Sequence, residues 1–175
     1  MAQQLSPEEA ENLLEASEGV LGDGGFGVVR LIEYEGQECA LKYPYFDHWS
    51  LDAEREIMEQ LQGAGGAPIP LAYSPGPRPM LIMSYCGRTN LEDVNLMKPR
   101  PTDLEVLTMA LKTCLALQEI HEQGVVHCDI KPDNVVVDRT SDGALQGVHI
   151  IDYNISLAVG GRHPAEKYAT EYQEW

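Results

Sequence analysis

The run Gly22-Asp23-Gly24-Gly25-Phe26-Gly27 constrains this chain more than any other segment. Glycines let the backbone approach a ligand closely, so that amides cover phosphate oxygens without side-chain clashes. The flanks decide which fold carries the run. From Gly19 to Lys42 the chain has short β-branched and aromatic stretches, with Glu35-Gly36 as a turn between two of them. The glycines therefore join strand to strand. A dinucleotide-binding fingerprint must join a strand to a helix, so that fold is disfavoured.

The remaining elements follow from caps and periodicity. Ser6-Pro7-Glu8-Glu9 has capping-box spacing with proline at the first helical position, and predicts a short acidic helix packed on the first sheet. A second helix is predicted across Ser50–Gly63, with Ser50 as cap, Gly63 as stop, and Leu51, Ile57, Met58 and Leu61 at helical spacing. Pro68–Tyr73 and Met80–Tyr85 read as strands joined by the turn Ser74–Pro79. The expected first unit is a five-stranded antiparallel sheet with one main helix, ending near Cys86. A polar, proline-rich linker follows. Thr102-Asp103-Leu104-Glu105 then opens a long helix whose apolar stripe is Leu104, Leu107, Leu111, Cys114 and Leu115, and Gly124 ends it. Val135–Val137 and Val148–Ile151 read as a hairpin, and residues 152–175 as loop. The expected organisation is an N-terminal acidic helix over 1–18, a sheet lobe over 19–86 and a shorter lobe over 87–175.

Charge and cysteines narrow the function classes. A net charge of -16 repels phosphate backbones and argues against a nucleic-acid partner. No segment reads as a signal peptide or a membrane span, so no membrane partner is expected. Cys39, Cys86, Cys114 and Cys128 are scattered, without a zinc-type pair, and read as thiols of a cytoplasmic protein.

The densest chemistry lies in His127-Cys128-Asp129-Ile130-Lys131-Pro132-Asp133-Asn134. Asp129 can accept or orient a hydroxyl proton, Lys131 can neutralise a phosphoryl group, and Asn134 can bind Mg²⁺. Asp152, after the run Val148–Ile151, supplies a second metal ligand. Lys42 sits on a strand after the glycine run, where phosphate becomes its natural partner. Glu54, on the next helix and followed by the inward pair Ile57 and Met58, is the glutamate expected to pair with Lys42.

These motifs, in this order, resemble the eukaryotic-type serine/threonine protein kinases over roughly Val20–Ile155. The resemblance implies an α+β, bilobal fold with a reduced helical C-lobe, and ATP and Mg²⁺ as cofactors. It places Gly22, Gly24, Gly27, Val29, Ala40, Lys42 and Glu54 around ATP, with Met83 as gatekeeper and Ser84–Cys86 as the hinge facing adenine. It makes Asp129 the catalytic base with Lys131 beside it, and Asn134 and Asp152 the metal ligands.

Besides an interval from Lys42 to Glu54 that is short for the family, which implies a trimmed loop before the helix, three departures stand out. Cys128 replaces the arginine that many kinases use to bind a phosphorylated activation segment, which implies less need for that switch. Asn154 replaces glycine in Asp152-Tyr153-Asn154, and asparagine tolerates left-handed angles, so the turn can survive. The third is the end of the chain, which comes before any Ala-Pro-Glu motif. Part of the stripe from Leu104 to Leu115 is then expected to be uncovered, as in a fragment, or in a short kinase where a partner, a second copy or the tail covers it. Tyr168, Thr170 and Tyr172 are candidate phosphorylation sites by position. The expected function is an ATP-dependent protein serine/threonine kinase acting on a protein hydroxyl. The alternative is a nucleotide-binding pseudokinase or kinase-lobe mimic serving as a regulatory interaction module. A small-molecule kinase of similar fold is a weaker third reading.

Overall fold

The structure, a computed structural model, describes residues 2–46, 50–140 and 143–160. Its first half is a sheet in the order β1-β5-β6-β4-β3-β2. Strands β2 (Gly19–Gly24) and β3 (Gly27–Tyr34) form a hairpin around Gly25-Phe26. β3 returns as β4 (Gln37–Tyr43) through Glu35 and Gly36, both at positive φ (52° and 76°), as a tight hairpin turn requires. β4 pairs with β6 (Met80–Ser84), and β6 with β5 (Pro70–Ser74), across the proline-rich turn. To the five antiparallel strands the fold adds a sixth, β1 (Gln3–Gln4), lying parallel to β5. Two residues are too short a run for period-2 patterning to announce a strand.

Alternation along β4 divides the core in two. Cys39 and Leu41 face one side, where Leu5 and Ala10, with Leu13 and Leu14, lay helix α1 (Pro7–Glu15) against the sheet. The Ser6 capping box is formed, with Ser6 N donating to Glu9 Oε2 at 2.8 Å. Ala40 faces the other side with Met58 and Leu61 of α2 (Asp52–Leu61). Here the cap differs from expectation. Ser50 Oγ accepts from Asp52 N at 3.0 Å, but the N-cap position is Leu51, and Gln62 takes the left-handed stop (φ 49°) ahead of Gly63. The serine turns the chain one residue before the N-cap.

The second half starts with an element hidden in the linker. Asn90 and Asp93 form a capping box, and α3 (Leu91–Leu96) follows. The long helix α4 (Asp103–Glu122) starts at the Thr102 box as its sequence predicts. β7 (Val125–Val126) pairs with β10 (Leu157–Ala158), a contact made by residues read as loop. β8 (Val135–Arg139) and β9 (Leu145–Ile150) form the expected hairpin. The candidate sites Tyr168, Thr170 and Tyr172 lie outside the described residues.

One core unites the halves: Ala40, Met58, Leu61 and Met83 pack in the same cluster as Ala116 and Ile120 of α4, Val135, Ile150 and Tyr153. A 3-10 turn over Ala64–Gly66 wedges between them. A Cβ on Gly65 would lie 2.6 Å from Ala116 O, so only glycine allows this approach. Glu119 Oε2 accepts from Gly65 N at 2.9 Å, and Gly66 O meets His149 Nδ1 at 2.9 Å.

The buried face of α4 is Met109, Ala116 and Ile120. The stripe expected to be apolar and partly uncovered points outward, with Leu104 75% exposed, Leu107 67%, Leu111 60% and Leu115 50%. No helix among the described residues is long and apolar enough to cross a membrane.

Candidate functional site

Two polar clusters form where the sheet meets the second half. The first is built on Lys42. Strand alternation turns it to the same side as Ala40, toward α2, where it is 4% exposed. Glu54, in the first turn of α2 and equally buried, accepts from Lys42 Nζ at 2.8 Å. Asp152 Oδ1 accepts from the same nitrogen at 3.0 Å and Asn154 Oδ1 at 2.9 Å. Burial works against the Lys42 ammonium, but the Glu54 and Asp152 carboxylates outweigh it and hold its pKa above the ordinary lysine value. Burial also pushes the Glu54 carboxyl upward, against the pull of Lys42.

The second cluster lies in the loop from β7 to β8. Cys128 adopts a left-handed φ of 67°, and Pro132–Asn134 form a 3-10 turn that folds Asn134 back on Asp129. Asn134 Nδ2 donates to Asp129 O at 2.9 Å and to Asp129 Oδ2 at 3.0 Å. Lys131 Nζ donates to Asp129 Oδ2 at 2.8 Å. The hydrogen bond from Lys131 holds the Asp129 carboxyl below its usual range, with Asn134 adding to it. Asp129 in turn raises the Lys131 pKa.

Ile151 ties the clusters together through its backbone. Its N–H donates to Asn134 O at 3.0 Å, and its carbonyl accepts from His127 Nε2 at 2.9 Å. Asp129 N donates to His127 Nδ1, which fixes the neutral tautomer with the proton on Nε2. Burial lowers the His127 pKa and favours the same neutral form. Tyr153 packs edge-on against the imidazole with ring centroids 4.8 Å apart, and Ser156 Oγ donates to His127 O. Asp129 and Asp152 thus sit on two loops cross-braced by one residue.

The other sequence candidates lie on β2, β3, β4 and β6, with Cys86 just beyond the end of β6. Val29, opposite Lys42 in the β3–β4 ladder, packs on the core that holds Ala40 and Met83. Ser84 Oγ accepts from Ile69 N at 2.9 Å, which fastens the end of β6. Cys86 is half-buried, and burial pushes its thiol up to about 11. Gly27 is needed by the backbone itself, since a Cβ there would lie 2.2 Å from Tyr43 O. A Cβ on Gly22 or Gly24 would meet nothing within 4 Å, so those two face open space.

The donor set suits a hard divalent cation. Asn134 uses its amide hydrogens on Asp129, which leaves Oδ1 as the atom that could meet a cation, and Asp152 could add one carboxylate. Among the described residues no group of three or more His, Cys, Asp or Glu side chains forms a metal cage. Mg²⁺ usually keeps several waters and is held by one or two carboxylates with substrate phosphates, which the Asp152 carboxylate suits.

Sequence reasoning missed two participants. In the sequence Asn154 has only the look of a backbone substitute, yet its side chain enters the Lys42 cluster. The left-handed residue of this turn is Asp152, at φ 69°, and not Asn154. His127 carried no assigned role. The only signal for it was its place two residues before Asp129.

Comparison with known proteins agrees with this geometry. The family model described as the protein kinase domain matches residues 16–173. The chain is similar to casein kinase I homolog 1 of Schizosaccharomyces pombe, 29% identical over 164 residues, covering 88% of this chain and 35% of that protein. It is similar to serine/threonine-protein kinase DCLK3 of Mus musculus, 27% identical over 148 residues, covering 81% of this chain and 19% of that one. It is also similar to serine/threonine-protein kinase mos of Patiria pectinifera, 30% identical over 134 residues, covering 71% and 38%. The chain thus spans 19% to 38% of the length of these relatives.

Proposed function

This chain belongs to the protein kinase domain family, and we propose that it is an ATP- and Mg²⁺-dependent serine/threonine protein kinase acting in the cytoplasm on a protein hydroxyl. The observation that carries the proposal is the bracing of Asp129–Asn134 and Lys42–Glu54–Asp152 through Ile151. In this reading these hydrogen bonds support the base, two cations and two metal-binding oxygens.

In this reading the hairpin of β2 and β3 covers the phosphates, and Val29, Ala40 and Met83 line the adenine side, with Ser84–Cys86 beyond them. Lys42, fixed by Glu54, binds phosphate oxygen. Bound Mg²⁺, held by Asn134 and Asp152, supplies neutralisation of phosphate charge. Asp129 orients the substrate hydroxyl, whose oxygen forms a bond to the γ-phosphorus while the bond from that phosphorus to the bridging oxygen of ADP breaks. The hydroxyl proton passes to the Asp129 carboxylate, which is ionised at neutral pH because Lys131 and Asn134 stabilise the anion. Lys131 then faces the transferring group. Positioning and charge carry the rate.

Calorimetric titration with ATP and Mg²⁺ tests the nucleotide half of the proposal. Binding weakened at least about tenfold in Lys42→Met is expected, because the phosphate loses a charged donor. Equal binding in the variant would contradict the role given to Lys42.

The exposed leucine face of α4 favours a second reading, a pseudokinase-like interaction module whose purpose is to dock a partner. Asp129→Asn separates the two, since partner docking would survive it and phosphoryl transfer would not.

A further inference from the structure

The Lys42 ammonium has three hydrogens, and three side chains take them: Glu54, Asp152 and Asn154. Two of these acceptors are carboxylates. The third is a neutral amide, and its Nδ2 also donates to Asp152 Oδ1. Asn154 therefore closes a ring with Lys42 and Asp152. Backbone geometry does not call for this residue, because the positive φ of the turn belongs to Asp152.

We propose that Asn154 is an internal competitor for nucleotide phosphate. It is a positioning residue that fills the third donor of Lys42, holds Asp152 Oδ1, and must swing away when a phosphate oxygen arrives. The inference rests on the nucleotide-binding reading above. Of the three acceptors Asn154 is the one that yields. Hydrogen bonds from an ammonium to a carboxylate are stronger than those to an amide, and Glu54 is buried at 4% exposure, whereas Asn154 is only partly buried. Its departure frees a lysine hydrogen for phosphate and removes one of the two donors on Asp152 Oδ1 in one movement. The ligand class it discriminates is the phosphate-bearing nucleotide. A nucleoside reaches neither atom, so Asn154 does not act on it.

The test measures binding of ATP with Mg²⁺, and of adenosine, to the full chain and to Asn154→Ala and Asn154→Gly. Both variants remove the competing amide, and they differ in backbone freedom. The expected result is ATP binding about tenfold tighter in both, as loss of one competing hydrogen bond to a charged group implies, with adenosine binding unchanged. Unchanged ATP affinity, or an equal gain for adenosine, would overturn the competitor role while leaving nucleotide binding intact. Failure of all three proteins to bind either ligand would overturn the nucleotide reading and this inference with it.

Discussion

Lys42 and Glu54 meet at 2.8 Å with side-chain exposures of 6% and 4%, so each is the other's answer to burial. Replacing Lys42 by Met leaves the Glu54 carboxylate buried without its cation. Breaking a buried pair from one side costs about 3–5 kcal/mol, whereas replacing both members by apolar residues is often neutral. Lys42→Met is therefore expected to lower the unfolding free energy by about that amount. The double variant Lys42→Met/Glu54→Leu should recover most of it. Denaturant unfolding of the three proteins checks this, and a double variant as unstable as the single one would contradict it.

Tyr153 is 1% exposed, and its hydroxyl has no hydrogen-bond partner among the described residues. Burial drives its pKa upward, so it stays neutral. An unsatisfied buried hydroxyl costs roughly 1–3 kcal/mol. Tyr153→Phe keeps the ring against His127 and removes that cost. Its melting temperature should equal or exceed that of the parent, and a clear fall would show that the hydroxyl has a partner.

The buried His127 gives stability a pH dependence of known sign. Its folded pKa lies below the ordinary 6.5, so the folded state prefers the neutral ring. The unfolded state takes up the proton first as pH falls. The stabilisation is complete above about 6.5 and is lost as pH drops from there through the folded value. Unfolding free energy measured from pH 7.5 to 5 should decline, and the His127 ring resonance should titrate below 6.5 in an NMR series. A resonance that titrates above that value would reverse the sign.

On α4, Leu107 and Leu111 are 67% and 60% exposed, outside the core that holds Ile120. Leu107→Lys and Leu111→Glu should change the unfolding free energy by less than about 0.5 kcal/mol, whereas Ile120→Ala should cost about 2–5 kcal/mol. A large loss from either surface change would show that the face is already covered in solution.

What the sequence revealed and concealed follows from the range of the forces involved. Glycine turns, capping boxes and strand alternation act over a few residues, so the hairpins and the Ser6 and Thr102 helix starts were readable, whereas the choice of Glu54 over Glu56 as partner of Lys42 rested on context. Asn90-x-x-Asp93 carries the same kind of signal, but proline and polar neighbours masked it. The β7–β10 pairing and the Gly65 wedge join residues far apart in the chain, which no local pattern reports. The side chain of Asn154 illustrates the same limit inside the site. Its identity suggested a backbone role, while its action depends on Lys42, 112 positions away.

If Asp129 directs phosphoryl transfer from ATP, loss of its carboxylate must remove that transfer. The most direct test incubates the chain with Mg²⁺, γ-labelled ATP and a basic protein substrate, beside Asp129→Asn. The substitution keeps the size and planar shape of the side chain and removes its charge and its capacity to take a proton. Label is expected on serine or threonine of the substrate with the parent chain, with a loss of at least about a hundredfold in the variant. Equal transfer by both proteins would contradict the role of Asp129, and no transfer by the parent despite ATP binding would contradict the kinase reading itself.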